Sequence, residues 1–371
     1  MTIDRVHAAR EIADDLNIDV VVVTPGSDLR YLCGYNAHAM ERLTALAVPR
    51  RGEPFLVVPR LEAPMVAASP AGGLGLDLFA WDETDDPFDL LVREITARLG
   101  AGPTFVAVGA RTWAEHALGI QRATAGGQLR LAGPIVDRLR SVKSPAEVEE
   151  LAAAGAAIDR VHARMAEWLR VGRTEAAVGA DIAAAILEEG HVGVDFTIVG
   201  SGPNGASPHH EVSDRVIRAG DVVVVDIGGE TATGYRSDCT RTYVVGGEPS
   251  AEVAEWYGVL RSAQTAATAS VRPGVPAAQI DAVARGIITE AGWGEQFIHR
   301  TGHGIGLDTH EAPYIVEGND TPLVPRTAFS VEPGIYFAGQ AGARIEDIVV
   351  CTEDGVRSLN NGRRELVELP G

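Results

Sequence analysis

The run Val222-Val223-Val224-Val225 ends on Asp226, and no other stretch constrains the fold of this chain as strongly. Four consecutive β-branched residues read as a buried strand. Such a strand does not finish on an unpartnered carboxylate, because burying a lone charge is costly. Gly228-Gly229 and Thr233-Gly234 follow, and then a second extended stretch from Tyr235 to Tyr243 that carries Asp238. The two stretches read as a hairpin with a glycine-bearing turn, setting Asp226 and Asp238 side by side on paired strands.

A second acidic pair lies downstream. Phe329 to Tyr336 reads as a strand that carries Glu332 into a Pro333-Gly334 turn, and Ala343 to Val350 reads as the returning strand with Glu346. Four converging carboxylates raise one another's pKa values and take up protons unless cations sit among them, and two divalent ions would cancel the four charges. His303 stands in Thr301-Gly302-His303-Gly304-Ile305-Gly306-Leu307, where alternate glycines allow close backbone approach. Oxygen-rich ligation with one imidazole suits Mn2+, or Co2+, better than structural Zn2+, which favours Cys and His. Any one of these acids alone reads equally well as a turn residue; five residues in this order with these flanks do not.

With these residues the chain resembles the pita-bread metallopeptidases, the family of methionine aminopeptidase, aminopeptidase P, prolidase and creatinase. The resemblance covers the whole chain and is most specific in its second half. It implies an Asp, Asp, His, Glu, Glu site for two metals at Asp226, Asp238, His303, Glu332 and Glu346. In that scheme Asp238 and Glu346 bridge the ions, Asp226 binds one, and His303 and Glu332 the other. Mn2+ is the expected metal, with Co2+ or Zn2+ as alternatives. The interval from Asp226 to Asp238 is one residue longer than is usual in the family, and the intact Ser237-Asp238-Cys239-Thr240-Arg241-Thr242 flank places the extra residue in the turn rather than in a strand.

The resemblance also assigns roles outside the ligand set. His209 and His310 match histidines that contact substrate and the tetrahedral intermediate, Glu332 matches a proton shuttle, and Arg344 either orients Glu346 or meets a substrate carboxylate. His299 is a weaker candidate for a supporting role. His7, His38, His116, His162, His191 and His210 read as packing or surface residues.

Composition excludes more than it identifies. The net charge of −19 argues against a nucleic-acid partner, which wants a basic face. No apolar stretch is long enough to span a membrane, and Met1-Thr2-Ile3-Asp4-Arg5 does not begin a signal peptide. Three scattered cysteines, Cys33, Cys239 and Cys351, make a disulfide framework improbable and fit a reducing cytoplasm.

At 371 residues the chain should form two domains. Ser144-Pro145-Ala146-Glu147 is a capping box with proline at the first helical position, and apolar residues from Val148 through Met165 and Leu169 then follow at helical spacing to Gly172. Shorter helices are predicted around Val178, Ile182 and Ile186 and around Ile280, Val283 and Ile287. The expected architecture is α+β: an α/β domain over residues 1–138, then a pita-bread catalytic domain over residues 139–371 built as two similar halves. In the first domain, helices are predicted over 5–16 and 88–99, and strands over 18–23, 43–48, 55–58 and 105–108. Arg50 to Glu53 reads as a hairpin turn, and Ala71 to Gly75 as a surface loop. No catalytic constellation appears there. In the family such a domain shapes the substrate entrance and the dimer, so a homodimer is expected.

The activity implied is hydrolysis of Xaa-Pro bonds, foremost as a dipeptidase acting on a small peptide with proline in second position. The alternatives are an aminopeptidase on longer Xaa-Pro peptides, a metal-dependent lyase, or a creatinase-like hydrolase. The full ligand set speaks against a metal-free creatinase.

Overall fold

The computed structural model describes residues 3–371; Met1 and Thr2, part of the N-terminal stretch read above, lie outside the described residues. The chain divides into one compact unit that ends at Arg140 and another spanning Ser141–Gly371.

The first unit is built on a six-stranded sheet of β1 (Val20–Val23), β2 (Ala45–Pro49), β3 (Phe55–Pro59), β4 (Asp77–Trp81), β5 (Phe105–Val108) and β6 (Gln128–Leu131), in the order β4-β3-β2-β1-β5-β6. The antiparallel pairs β1–β2 and β2–β3 sit inside flanking parallel pairs, a mixed sheet covered by helices. Val20, Val22, Phe55, Val57 and Val106 pack with Leu91 and Ile95 of the helix Pro87–Leu99. The turn between β2 and β3 contains Gly52 at φ +78°, the left-handed conformation glycine adopts at no steric cost. Ala71-Gly72-Gly73 is not a free loop, since it forms part of a short 3-10 turn capped by Ser69.

The second unit contains two layered halves. One sheet orders β17 (Val367–Leu369), β9 (Arg236–Val245), β8 (Asp221–Thr231) and β7 (His191–Ser201). Its Val223, Val225 and Ile227 pack against Ile158 and Val161 of the helix Pro145–Ala163 and Val178, Ile182 and Ile186 of the helix Glu175–Glu188. The other sheet orders β11 (Glu311–Ile315), β10 (Gly302–Gly304), β12 (Ala328–Val331), β15 (Asp347–Cys351) and β16 (Val356–Ser358), with β13 (Gly334–Phe337) and β14 (Ala341–Arg344) as a separate ribbon. Phe329, Val331 and Val349 pack with Leu260, Ile280 and Ile288 of the helices Ala251–Ser270 and Ala277–Glu290. Each half is thus a sheet, carrying one of the two acidic hairpins, backed by two helices.

The Ser144 capping box forms with both bonds, Glu147 N to Ser144 Oγ at 3.3 Å and Ser144 N to Glu147 Oε2 at 2.7 Å. The helix it starts ends at Ala163, not at Gly172 as its apolar spacing predicts. A 3-10 turn at Met165–Glu167 takes over, and Met165 and Leu169 still enter the core. The spacing recorded their burial, which a tighter turn satisfies as well.

Candidate metal centre and cleft

The two hairpins bring the acids together, each by a different register. On β8 and β9, Asp226 faces Thr240 and Asp238 faces Gly228, so the acids are diagonal neighbours on one face rather than directly opposite. Pairing runs from Asp221↔Val245 to Glu230↔Arg236 without a shift, which leaves the extra residue of this interval to the turn.

In the second hairpin the reversal occurs between Phe337 and Ala341 and not at Pro333-Gly334. Proline has no N–H to give the ladder, so Pro333 interrupts the hairpin instead of turning it. The break falls between Val331↔Asp347 and Gly334↔Arg344, and Glu332 and Glu346 occupy it on opposite strands. Their backbone N–H groups bond across to the carbonyls of Thr301 (2.8 Å) and Thr240 (3.1 Å), which ties this gap to the neighbouring strands.

The glycines around His303 permit equally close approach. A Cβ at Gly302 would lie 1.9 Å from the Ser330 carbonyl oxygen, and one at Gly304 would lie 2.1 Å from that of Ala312. His303 is thereby held with its N–H on Ser330 Oγ at 3.0 Å and its Nε2 at 3.1 Å from Glu332 Oε1 and 3.6 Å from Asp238 Oδ2.

Three sets of side chains here could each hold an ion with ligand atoms within 4.8 Å of one another: Asp226, Asp238 and Glu346; His303, Glu332 and Glu346; and Asp238, His303 and His310. Asp238, His303 and Glu346 each recur in two of these sets. Burial, then repulsion from Asp226 and Glu332, pushes Asp238 well above the ordinary carboxylate range; burial and Asp238 do the same to Glu346. Burial also acts to raise Glu332, but the hydrogen bond and charge of His303 outweigh it and hold this carboxyl down at about 2. Asp226 Oδ1 and Glu346 Oε1 are buried with no hydrogen-bond partner. Two orphaned, inward-facing carboxylate oxygens in an acidic cluster are what divalent cations would satisfy, so these residues fit a metal pair.

Arg344 stands behind this cluster, fully buried. Its Nη2 donates to Asp226 Oδ2 at 2.5 Å, its Nε to Thr240 Oγ1 at 3.0 Å and its Nη1 to Tyr336 Oη at 2.7 Å. Both terminal nitrogens also lie 3.4 Å from the carbonyl of Pro208, the residue before His209. Every nitrogen of the guanidinium is therefore committed to protein, and the carboxylate it meets is Asp226.

The cluster floors a cleft of about 1310 Å3 lined by His209, His210, His299, Arg300 and His310 among others. The His310 ring lies 3.9 Å from that of His303, centroid to centroid. Burial, with His303 beside it, lowers its pKa to about 4, so its imidazole is neutral at pH 7. His299 donates to or accepts from Tyr336 Oη at 2.9 Å, one layer behind. His209 is exposed on the cleft wall.

Sequence reasoning missed several residues here. Thr240 gives its hydroxyl proton to Glu346 Oε2 at 2.8 Å and Ser330 to Glu332 Oε1 at 3.0 Å. Thr240 lies two residues after Asp238 on β9 and Ser330 two residues before Glu332, and the period-2 rule could have found them. Tyr336, which joins His299 to Arg344, had no such signal. His210, read as a packing or surface residue, lines the cleft and pairs with the buried Glu175 at 2.8 Å.

Comparison with known proteins identifies the family of the chain. Residues 149–353 match the model of metallopeptidase family M24, and residues 5–142 that of the creatinase/prolidase N-terminal domain. The chain is 53% identical over 367 residues to the probable dipeptidase PepE of Mycobacterium tuberculosis, covering 99% of this chain and 96% of that one. It is 37% identical over 357 residues to the Xaa-Pro dipeptidase of Lactobacillus delbrueckii subsp. lactis, covering 95% of each. The crystal structure of dipeptidase PepE from Mycobacterium ulcerans superposes with a TM-score of 0.95 at 52% identity, over 99% of this chain and 98% of that one. An α+β pita-bread domain that gathers four acids and a histidine, preceded by a creatinase-type domain, thus agrees with matches along nearly the whole chain, which belongs to metallopeptidase family M24.

Proposed function

We propose that this chain is a dinuclear-metal Xaa-Pro dipeptidase whose chemistry lies within residues 139–371, with Asp226, Asp238, His303, Glu332 and Glu346 as ligands. The observation that carries this reading is the pair of orphaned oxygens, Asp226 Oδ1 and Glu346 Oε1, in the buried cluster. Asp238 and Glu346 are assigned as the shared ligands: of the three residues that belong to two ligand sets, Asp238, His303 and Glu346, they are the carboxylates, whose two oxygens can serve two ions. When bound, a pair of divalent cations lowers the pKa of water and polarises a peptide carbonyl. Mn2+ is the proposed metal.

The chain's own residues supply the rest. Glu332, ionised at neutral pH, takes the proton of the attacking water on a carboxylate oxygen and delivers it to the departing imide nitrogen. His310, neutral, donates its N–H to the oxygen that becomes negative in the tetrahedral intermediate. Arg344 fixes Asp226 in place. His209 meets the proline side of the substrate, with Phe196, Ile198 and Val212 as apolar lining for its ring. A homodimer in the cytoplasm completes the proposal, and the buried free thiols Cys33, Cys239 and Cys351 fit a reducing compartment.

The test is hydrolysis with Mn2+ of Xaa-Pro dipeptides, Xaa-Pro tripeptides and matched Xaa-Ala peptides. Proline offers no amide N–H, so a pocket built for it leaves the N–H of an Xaa-Ala bond unpaired, and a preference of about tenfold or more follows. Equal rates on Xaa-Ala would count against the proposal.

A further inference from the structure

Of the 32 lysine and arginine residues in the chain, Lys143 is the only lysine. It is also among the largest fully buried side chains, 2% exposed, and its Nζ donates to Glu311 Oε1 at 2.7 Å across 168 residues of sequence. Lysine's ammonium is a compact charge on a narrow stem, whereas arginine brings a planar fork of five donors, so a closed site favours lysine in a chain that otherwise uses arginine. A buried ion pair adds little stability, because desolvation offsets the attraction; what it can do is fix one arrangement. Glu311 directly follows His310.

The lysine end is anchored by backbone. Lys143 N donates to the Arg326 carbonyl at 2.9 Å, Arg326 Nε donates to the Lys143 carbonyl at 2.8 Å, and the next residue, Ser144, caps the helix Pro145–Ala163. At the other end Glu311 opens β11 opposite Gly304, where the register slips beside His303, so the ladder alone holds this end of the strand loosely. The carboxylate supplies the hold. A Cβ at Gly306 would lie 2.7 Å from Glu311 Oε1, and Asp308 N is 3.5 Å from Oε2, so the carboxylate packs against the turn that leads into His310. The His310 imidazole is exposed to the cleft and touches the His303 ring, but among the described residues it makes no hydrogen bond. Its place is therefore set by the backbone on either side of it. Neither Lys143 nor Glu311 lines the cleft.

Resting on the reading of His310 as the oxyanion donor, we propose that Lys143 and Glu311 are a pair of positioning residues for His310. The pair pins the residue after the imidazole to the start of the helix Pro145–Ala163 and acts on kcat, not on substrate or metal binding.

The experiment measures kcat and KM on Ala-Pro, metal content and Tm for the Mn2+-loaded wild type, Glu311→Gln, Lys143→Met, the paired variant Lys143→Met with Glu311→Met, His310→Ala, and the paired variant combined with His310→Ala. Either single change to the pair strands a buried group and should lower Tm, whereas the paired variant buries no charge and should recover it. Its kcat should nevertheless stay about 10- to 100-fold down, as a displacement of about 1 Å in a catalytic group can cost, with KM within about threefold and metal content unchanged. On top of His310→Ala, the paired change should cost less than about twofold more, because the group it positions is gone. Recovery of kcat together with Tm would reduce the pair to a packing contact and overturn the proposal. So would loss of metal, or an undiminished further loss in the His310→Ala background. An unaltered kcat in His310→Ala would overturn the oxyanion-donor reading, and a wild type inactive on Ala-Pro the Xaa-Pro reading, each taking this proposal with it.

Discussion

Arg344 Nη2 donates to Asp226 Oδ2 at 2.5 Å and leaves Oδ1 of that carboxylate buried without a partner. One oxygen is held by the protein and the other is free for an ion. Removing the guanidinium in Arg344→Met would strip a charge partner from a buried acid, which typically destabilises by about 3–5 kcal/mol, and would let Asp226 rotate. The expected outcome is weaker metal binding and a lower Tm in the metal-free protein, read by metal analysis and thermal melts. An unchanged metal affinity would remove Arg344 from its positioning role.

With Asp238 and Glu346 as the proposed shared ligands, alanine at either should abolish hydrolysis and reduce the metal content. A variant with one of them gone that kept two ions per chain and near-normal turnover would refute the assignment of bridging ligands.

His310 lies close enough to Asp238 and His303 to join a ligand set, yet it is exposed to the cleft and its ring is neutral. As an oxyanion donor it should tolerate His310→Ala with metals and Tm unchanged, while kcat falls by about a hundredfold to a thousandfold. Loss of an ion on this substitution would make it a ligand instead.

The raised carboxyls give the metal-free protein a distinctive pH response. Asp238 and Glu346 bind protons more tightly folded than at their ordinary values of 3.8 and 4.5. Their contribution to stability is therefore full below those values and is lost as pH rises through the folded ones. Protein stripped with chelator should lose Tm as the pH is raised above the ordinary carboxylate range, and the increment restored by Mn2+ should grow over the same rise. Melts with and without metal at each pH decide it; an increment that shrank with rising pH would contradict the account.

Glu175 anchors the loop that carries His209. It is fully buried and accepts bonds from Ser201 N and Oγ, Asn204, Ser213 and His210 at 2.6–3.1 Å. Burial works to raise its pKa, but these bonds prevail and lower it. Glu175→Ala would leave several donors unpaired, costing about 3 kcal/mol, and would raise KM more than it changes metal content. Chemical denaturation and kinetics on one preparation test both.

The local grammar of the chain was enough to name much of this. The apolar run before Asp226, the capping box at Ser144 and the glycines flanking His303 each act through neighbours in sequence, and strand period, cap and backbone clearance are local properties. They sufficed for the family resemblance, the helices and strands around the site and the gathering of five candidate ligand side chains. What local pattern does not carry is the partner of a buried group. Arg344 and Asp226 are 118 residues apart, and His210 and Glu175 are 35 apart; neither pairing leaves a trace in spacing. Even the second hairpin's turn was misplaced by sequence, because Pro333 signals an interruption of the ladder as readily as a reversal, and the choice between them is made by where the returning strand lies.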